Sequence, residues 1–159
     1  MASFRISRLS TSDVDALRAL NAVFGEAFGE RENYTEAPPA DAYLAGLLAK
    51  EHIVVLVAAI NEQVVGGVVA YELDKLERQR RELYIYDLAV SSPYRRHGIA
   101  TALIEELRQI AVRRGAWVLY VQADYGDDPA VALYEKIGAR EDVMHFDIPV
   151  ATETPSQSS

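Results

Sequence analysis

Ile85-Tyr86-Asp87-Leu88-Ala89-Val90 runs directly into Ser91-Ser92-Pro93-Tyr94-Arg95-Arg96-His97-Gly98-Ile99-Ala100. The first block is β-branched and aromatic and reads as the end of a strand over 83–90. The second block opens a helix over 99–114, with Ile99, Leu103, Ile104, Leu107, Ile110 and Ala111 on one face and Gly115 as the stop. Between them lies a basic loop. Gly98 lets the backbone approach a ligand closely, and the N–H groups of a first helical turn point outward without intrahelical acceptors. The helix dipole adds partial positive charge there, and Arg95, Arg96 and His97 add more. That is the chemistry of a pyrophosphate cradle; the plainer reading is a basic surface loop with a glycine turn. Neither G-x-x-x-x-G-K-[ST] nor G-x-G-x-x-G occurs, which disfavours ATP and dinucleotides as the ligand.

Working outward, Phe4, Ile6 and Leu9 suggest a first strand. Thr11 or Ser12 is placed to cap a helix whose apolar face is Val14, Leu17, Leu20, Val23 and Phe24. Residues 29–39, with two prolines, read as a loop, and 41–50 as a second short helix. The β-branched runs 53–60 and 64–73, separated by Asn61-Glu62-Gln63, read as a hairpin, and the charged stretch 74–82 as a solvated connection. Residues 117–123 form a strand; a helix with Pro129 in its first turn ends near Gly138, and 143–148 form a last strand. A βαβ crossover beside hairpins implies an α/β chain of the α+β kind, with a mixed, mostly antiparallel sheet flanked by about four helices.

At 159 residues the chain suits one domain, and at roughly 150 residues per domain its core needs no staples. It contains no cysteine, which excludes a disulfide framework, a thiolate metal site and an acyl-cysteine intermediate, and fits a reducing interior. The longest apolar runs are too short to span a bilayer, and the N-terminus has no apolar signal core, so a cytoplasmic protein without membrane contact is expected. The net charge of −8 argues against nucleic acid as a partner and favours a cationic substrate, although solubility alone also accounts for it. No His, Asp or Glu cluster has metal-ligand spacing, and no metal is expected.

Arg95-Arg96-His97-Gly98-Ile99-Ala100 resembles the acyl-CoA-binding motif Q/R-x-x-G-x-G/A of the GNAT superfamily of N-acetyltransferases. Asp127-Asp128-Pro129-Ala130-Val131-Ala132-Leu133-Tyr134-Glu135-Lys136-Ile137-Gly138 matches a second element of that superfamily. The segments 84–90, 120–134 and 143–148 look, more narrowly, like aminoglycoside 3-N-acetyltransferases of the gentamicin-resistance type. The resemblance covers residues 4 to about 148 and implies a GNAT domain over 1–150 followed by a disordered tail, 151–159. It further implies acetyl-CoA as co-substrate, a small polycationic amine as acceptor and a homodimer.

Under this resemblance the amine attacks the thioester directly in a ternary complex. The ammonium must lose a proton, the developing oxyanion needs a donor, and the thiolate needs protonation. The backbone of Leu88, Ala89 and Val90 would hold the pantetheine arm, and Arg95 through Ala100 with Thr101 the pyrophosphate. Tyr134 matches the tyrosine that protonates the leaving thiolate. Asp127 stands where relatives often carry Asn; it contacts the pantetheine, serves the amine, or caps the helix.

Two acids stand out as amine-binding or proton-accepting groups. Asp87 interrupts an apolar strand, where a carboxylate costs several kcal/mol unless paired or hydrated, and a pair with Arg81 is its structural explanation. Asp124 ends the next strand at a loop of acids. His145, sharing a strand face with Asp147, reads as partly exposed, His52 as a strand start, and Glu26, Glu30 and Glu32 as a solvated face bordering the acceptor. Two rival functions remain: acetylation of a polyamine or protein amine, and a non-catalytic CoA-binding module.

Overall fold

The computed structural model describes residues 3–151. They fall into two compact units, one up to Gln122 and one from Ala123 on. The first unit holds β1 (Arg5–Arg8), α1 (Val14–Ala27), α2 (Arg31–Thr35), α3 (Asp41–Leu48), β2 (Ile53–Ile60), β3 (Gln63–Asp74), β4 (Arg81–Val90), α4 (Ile99–Arg114) and β5 (Ala116–Val121). Its sheet has the order β1-β2-β3-β4-β5, antiparallel except for the parallel pair β4–β5. This is the expected mixed α/β fold. It has five helices of α type among the described residues rather than about four, because α2 adds one turn inside the expected loop.

Local chemistry accounts for most of these elements. Asn61 and Glu62 both take positive φ, 49° and 68°, as a two-residue hairpin turn requires, so β3 begins one residue earlier than the sequence suggests. The buried face of α4 is the predicted set of six apolar residues, and Gly115, at φ 74°, ends the helix in the left-handed region. The cap of α1 differs from expectation. Asp13 holds that place, and its carboxylate turns back to accept from the Ser10 backbone N–H at 2.7 Å and hydroxyl at 3.0 Å. The turn of α2 is held by tertiary packing: Phe24, Phe28 and Tyr34 form a ring cluster with centroids 5.6 to 6.5 Å apart.

Helix α1 lies against β3 at Gly67, where a Cβ would come within 2.5 Å of the Leu20 side chain and 2.6 Å of the Leu56 carbonyl. Leu17, Leu20 and Phe24 pack there with Val55, Val57 and Ala89, while α4 buries Leu103 and Leu107 with almost no exposure. One buried carboxylate, Glu72, sits at the far end of α4. Arg114 Nη2 donates to it at 3.1 Å and Arg81 Nε lies 3.3 Å away, joining β3, β4 and the helix terminus. Arg81 thus serves Glu72 and Asp74, not Asp87, which corrects the pairing weighed for Asp87.

The second unit contains α5 (Asp128–Ile137), with Pro129 in its first turn. Residues 143–148, expected as a strand, belong to no ladder. Met144, Phe146 and Ile148 are at least 73% exposed, and His145 meets Asp147 at 2.9 Å. Alternating apolar and polar residues suit a strand only where a neighbour accepts the backbone, and that neighbour is not encoded locally. The expected tail lies outside the described residues except for Ala151. Among the described residues no helix is long and apolar enough to cross a membrane.

Candidate functional site

Strand β4 is shared unequally by its two neighbours. It pairs with β3 from Arg81 to Val90, but with β5 only from Arg81 to Ile85. Among the described residues, 86–90 therefore have no strand partner on the β5 side, and the backbone groups turned that way are available to an extended ligand. Ala89 and Val90 bury their side chains, so any part they play is through the main chain. The Val90 carbonyl accepts from Arg95 Nε at 2.9 Å, and Ser91 N–H donates to the Val65 carbonyl at 2.7 Å, which fixes the start of the loop.

The loop then makes a short 3-10 turn, Ser92–Tyr94, and reaches α4 through Arg96 at φ 63° and Gly98 at φ 82°. Gly98 is the N-cap of α4 and no side chain caps the helix. The first bond back is from Ala102 N–H to the Gly98 carbonyl at 3.0 Å, leaving the amides of Ile99, Ala100 and Thr101 without intrahelical acceptors. A Cβ on Gly98 would meet nothing within 4 Å, so space lies in front of the turn. Arg95, Arg96 and His97 are exposed around it, whereas the Ile99 side chain is core. An open strand edge leading to a bare, cationic helix N-terminus fits an extended arm that ends in a phosphate group.

The opposite character appears on the sheet face that carries Asp87. The β3–β4 ladder shifts register between Val69 and Ala70, so Tyr86 is the extra residue and Asp87 stands opposite Val69. Tyr71 is opposite Tyr84, and Tyr84 opposite Tyr120, which puts three phenols on one face. Their rings touch: Tyr84 stacks on Tyr120 at 4.6 Å, and Tyr86 meets both Tyr84 and Tyr71 edge-on at 5.7 Å. Asp87 is half-buried and has no ion-pair partner among the described residues. Burial first, and the Glu30 carboxylate second, raise its carboxyl above the ordinary aspartate range. Burial and then Asp87 and Glu30 push the Tyr34 phenol up to about 12, and Tyr71 is raised by burial and then Asp87. Glu30 therefore belongs to this group, not to a merely solvated face. The tyrosines were not singled out from sequence. Tyr84-Ile85-Tyr86 has a strand's period, but only the register joins it to Tyr71 and Tyr120.

In the second unit Asp127 caps α5, accepting from Ala130 N–H at 3.4 Å, and its own N–H donates to the Asp124 carbonyl at 3.2 Å. Asp124 is exposed on this turn, which Gly126 makes possible with φ 95°. Tyr134 lies on α5; burial first, then the Asp127 charge, push its phenol up to about 12, so it carries its proton through the neutral range. Among the described residues no group of three or more acids and histidines could hold a metal ion.

Comparison with known proteins gives one family, two solved structures matched over nearly their whole length and a curated relative matched over two thirds of its own. The model of the acetyltransferase (GNAT) family matches residues 16–139. An aminoglycoside acetyltransferase from an uncultured soil metagenomic sample is 49% identical, with a TM-score of 0.92 over 94% of this chain and 99% of the other. A second such enzyme, solved in complex with sisomicin, is 30% identical with a TM-score of 0.86 over 93% and 97%. The Drosophila melanogaster protein named Probable N-acetyltransferase san is 31% identical over 86% of this chain and 67% of its own length.

Proposed function

Because the chain belongs to the acetyltransferase (GNAT) family, we propose that it moves the acetyl group of acetyl-CoA to the 3-amino group of a gentamicin-type 2-deoxystreptamine aminoglycoside. Losing that positive charge weakens the drug's hold on ribosomal RNA, so the outcome is antibiotic resistance. What carries the reading is the full-length likeness to aminoglycoside acetyltransferases. An acid- and phenol-lined face in a chain of net charge −8 adds to it, since such a surface concentrates a polycation.

In this reading acetyl-CoA supplies an activated thioester. The amides of Ile99, Ala100 and Thr101, with Arg95, Arg96 and His97, hold its pyrophosphate, and Gly98 gives the chain its close approach. The open edge at Leu88, Ala89 and Val90 takes the pantetheine arm, with one N–H aimed at the thioester oxygen. Asp87 and Asp124 receive the substrate's ammonium groups and accept the proton that the reacting amine must lose, directly or through water. The free amine attacks the carbonyl carbon, the C–S bond breaks, and Tyr134 donates its proton to the departing thiolate. A phenol held at about 12 is protonated when that step needs it. The second proton, shed by the new amide nitrogen, restores the Tyr134 phenol, directly or through water. Asp127 caps α5, and in this reading its contact with the pantetheine is a further role. The working enzyme is a cytoplasmic homodimer on this reading, which sedimentation tests.

Thiol release from acetyl-CoA, with gentamicin, spermidine and a lysine peptide offered in parallel, tests the acceptor. Release with gentamicin, and an NMR spectrum of the product acetylated at the 3-amino group, is the expected result. Release only with spermidine or peptide would overturn the acceptor, and CoA binding without release from any of the three would favour a binding module. Tyr134→Phe should lower kcat about 100-fold with little change in KM; an unchanged kcat would remove Tyr134 from the proton transfer.

A further inference from the structure

The tyrosines of the acidic face exceed what a single reacting ammonium needs. One carboxylate and one neighbouring phenol would bind an ammonium group, yet four tyrosine rings from three strands form a connected stair across β3, β4 and β5. Core packing does not account for it, since Tyr86, which contacts both Tyr71 and Tyr84, is 62% exposed. The register irregularity that makes room for Tyr86 also turns Asp87 onto the same face, so one backbone feature builds both. At the far end Tyr120 lies near Glu82, which pairs with Lys75 at 3.5 Å, and Tyr84 donates to Gln122 Oε1 at 2.9 Å. The face is thus aromatic in its centre, hydroxylated at its edges and acidic at the Asp87 end, while Glu82 at the other end is already paired with Lys75.

Each property selects the same visitor. Phenol rings attract ammonium groups and the C–H faces of saturated rings. Their hydroxyls exchange hydrogen bonds with other hydroxyls. A half-buried Asp87 beside Glu30, with no cation of its own among the described residues, calls for a positive charge from outside. A second copy of this chain fits less well, because the half-buried Asp87 carboxylate sits in the patch and charged residues are depleted from the centres of protein interfaces.

We propose that this stair is the acceptor subsite for the part of the substrate beyond the amine held at Asp87: with an ammonium group at Asp87, a neighbouring ring of a polycationic aminosugar lies against Tyr86. The inference rests on the aminoglycoside reading above for the class of acceptor. It makes Tyr86 a specificity-determining residue, one that separates multi-ring acceptors from single-ring amines.

Calorimetric titration of the full chain in the presence of CoA tests it, with gentamicin and with 2-deoxystreptamine alone. The expected result is that Tyr86→Ala weakens gentamicin binding about tenfold and leaves 2-deoxystreptamine within twofold, while Tyr86→Phe, which keeps the ring, binds both nearly as the parent does. Equal weakening for both ligands, or for neither, overturns the subsite. A parent chain that binds gentamicin no more tightly than its single-ring core overturns it too. So does a Tyr86→Ala chain that changes from dimer to monomer in sedimentation with gentamicin affinity intact. Turnover separates this inference from the reading beneath it. Ring-dependent binding of gentamicin without its acetylation keeps the subsite and discards the reading, whereas acetylation indifferent to Tyr86 does the reverse.

Discussion

Loop 91–101 and the face around Asp87 begin within a few residues of each other on β4, and they are opposites. The loop offers a ligand mainly main-chain amides, reinforced by Arg95, Arg96 and His97 around a glycine turn. The Asp87 face offers side chains alone: carboxylates and phenols drawn from α2's approach, β3, β4 and β5. A main-chain site binds a constant partner, because amides at a helix terminus do not change when side chains do. A side-chain site can change its partner by substitution while the backbone stays as it is. That division is what an enzyme with one fixed co-substrate and a variable acceptor requires.

The sharpest way to break the comparison is Asp87→Asn. It should lower kcat/KM for the aminoglycoside about 100-fold, since a charge-assisted contact to an ammonium is lost, and leave KM for acetyl-CoA alone. Equal damage to both substrates in initial-rate kinetics would mean that the two regions are one site energetically. The converse change is Gly98→Val. With φ at 82° and open space ahead, the cost is backbone strain at the amide row, and KM for acetyl-CoA should rise about tenfold while KM for the acceptor holds.

The smallest effect is on stability. The Asp87 carboxyl is raised by burial and by Glu30, so the folded chain holds that proton more tightly than the unfolded chain does. Below the ordinary aspartate range both states are protonated and the group is neutral to stability. As pH climbs from that range through the raised folded value, stability is lost and stays lost. Asp87→Asn should therefore melt with the parent in acid and above it at neutral pH. A variant that melts lower at neutral pH would show that Asp87 has a cationic partner within the chain.

These two regions also differ in how far they could be read from sequence. The loop is contiguous: strand end, basic turn, glycine and amphipathic helix follow one another, and each carries a local signature. The hairpin at Asn61-Glu62 and the stop at Gly115 were legible for the same reason. The Asp87 face is built from residues far apart in the chain, and Tyr71, Tyr84 and Tyr120 meet only through strand register. Register depends on turn geometry and on a bulge that no local pattern announces. Asp87 was legible as an oddity, a carboxylate in an apolar strand, but the arginine weighed as its partner serves Glu72 instead. Residues 143–148 failed in the opposite sense. Their alternation is clear, yet a strand also needs a neighbour.

The ion cluster at Glu72 has a mechanical meaning. Helix α4 has 16 residues and so is about 24 Å long, and it is clamped at one end by Arg114 while its amide row sits at the other. Rocking such a rod by about 5° about the clamp would sweep its free end through about 2 Å, beyond the tolerance of a hydrogen bond. Glu72 and its two arginines therefore act as an anchor bolt, and the aim of the distant amides is only as steady as that joint.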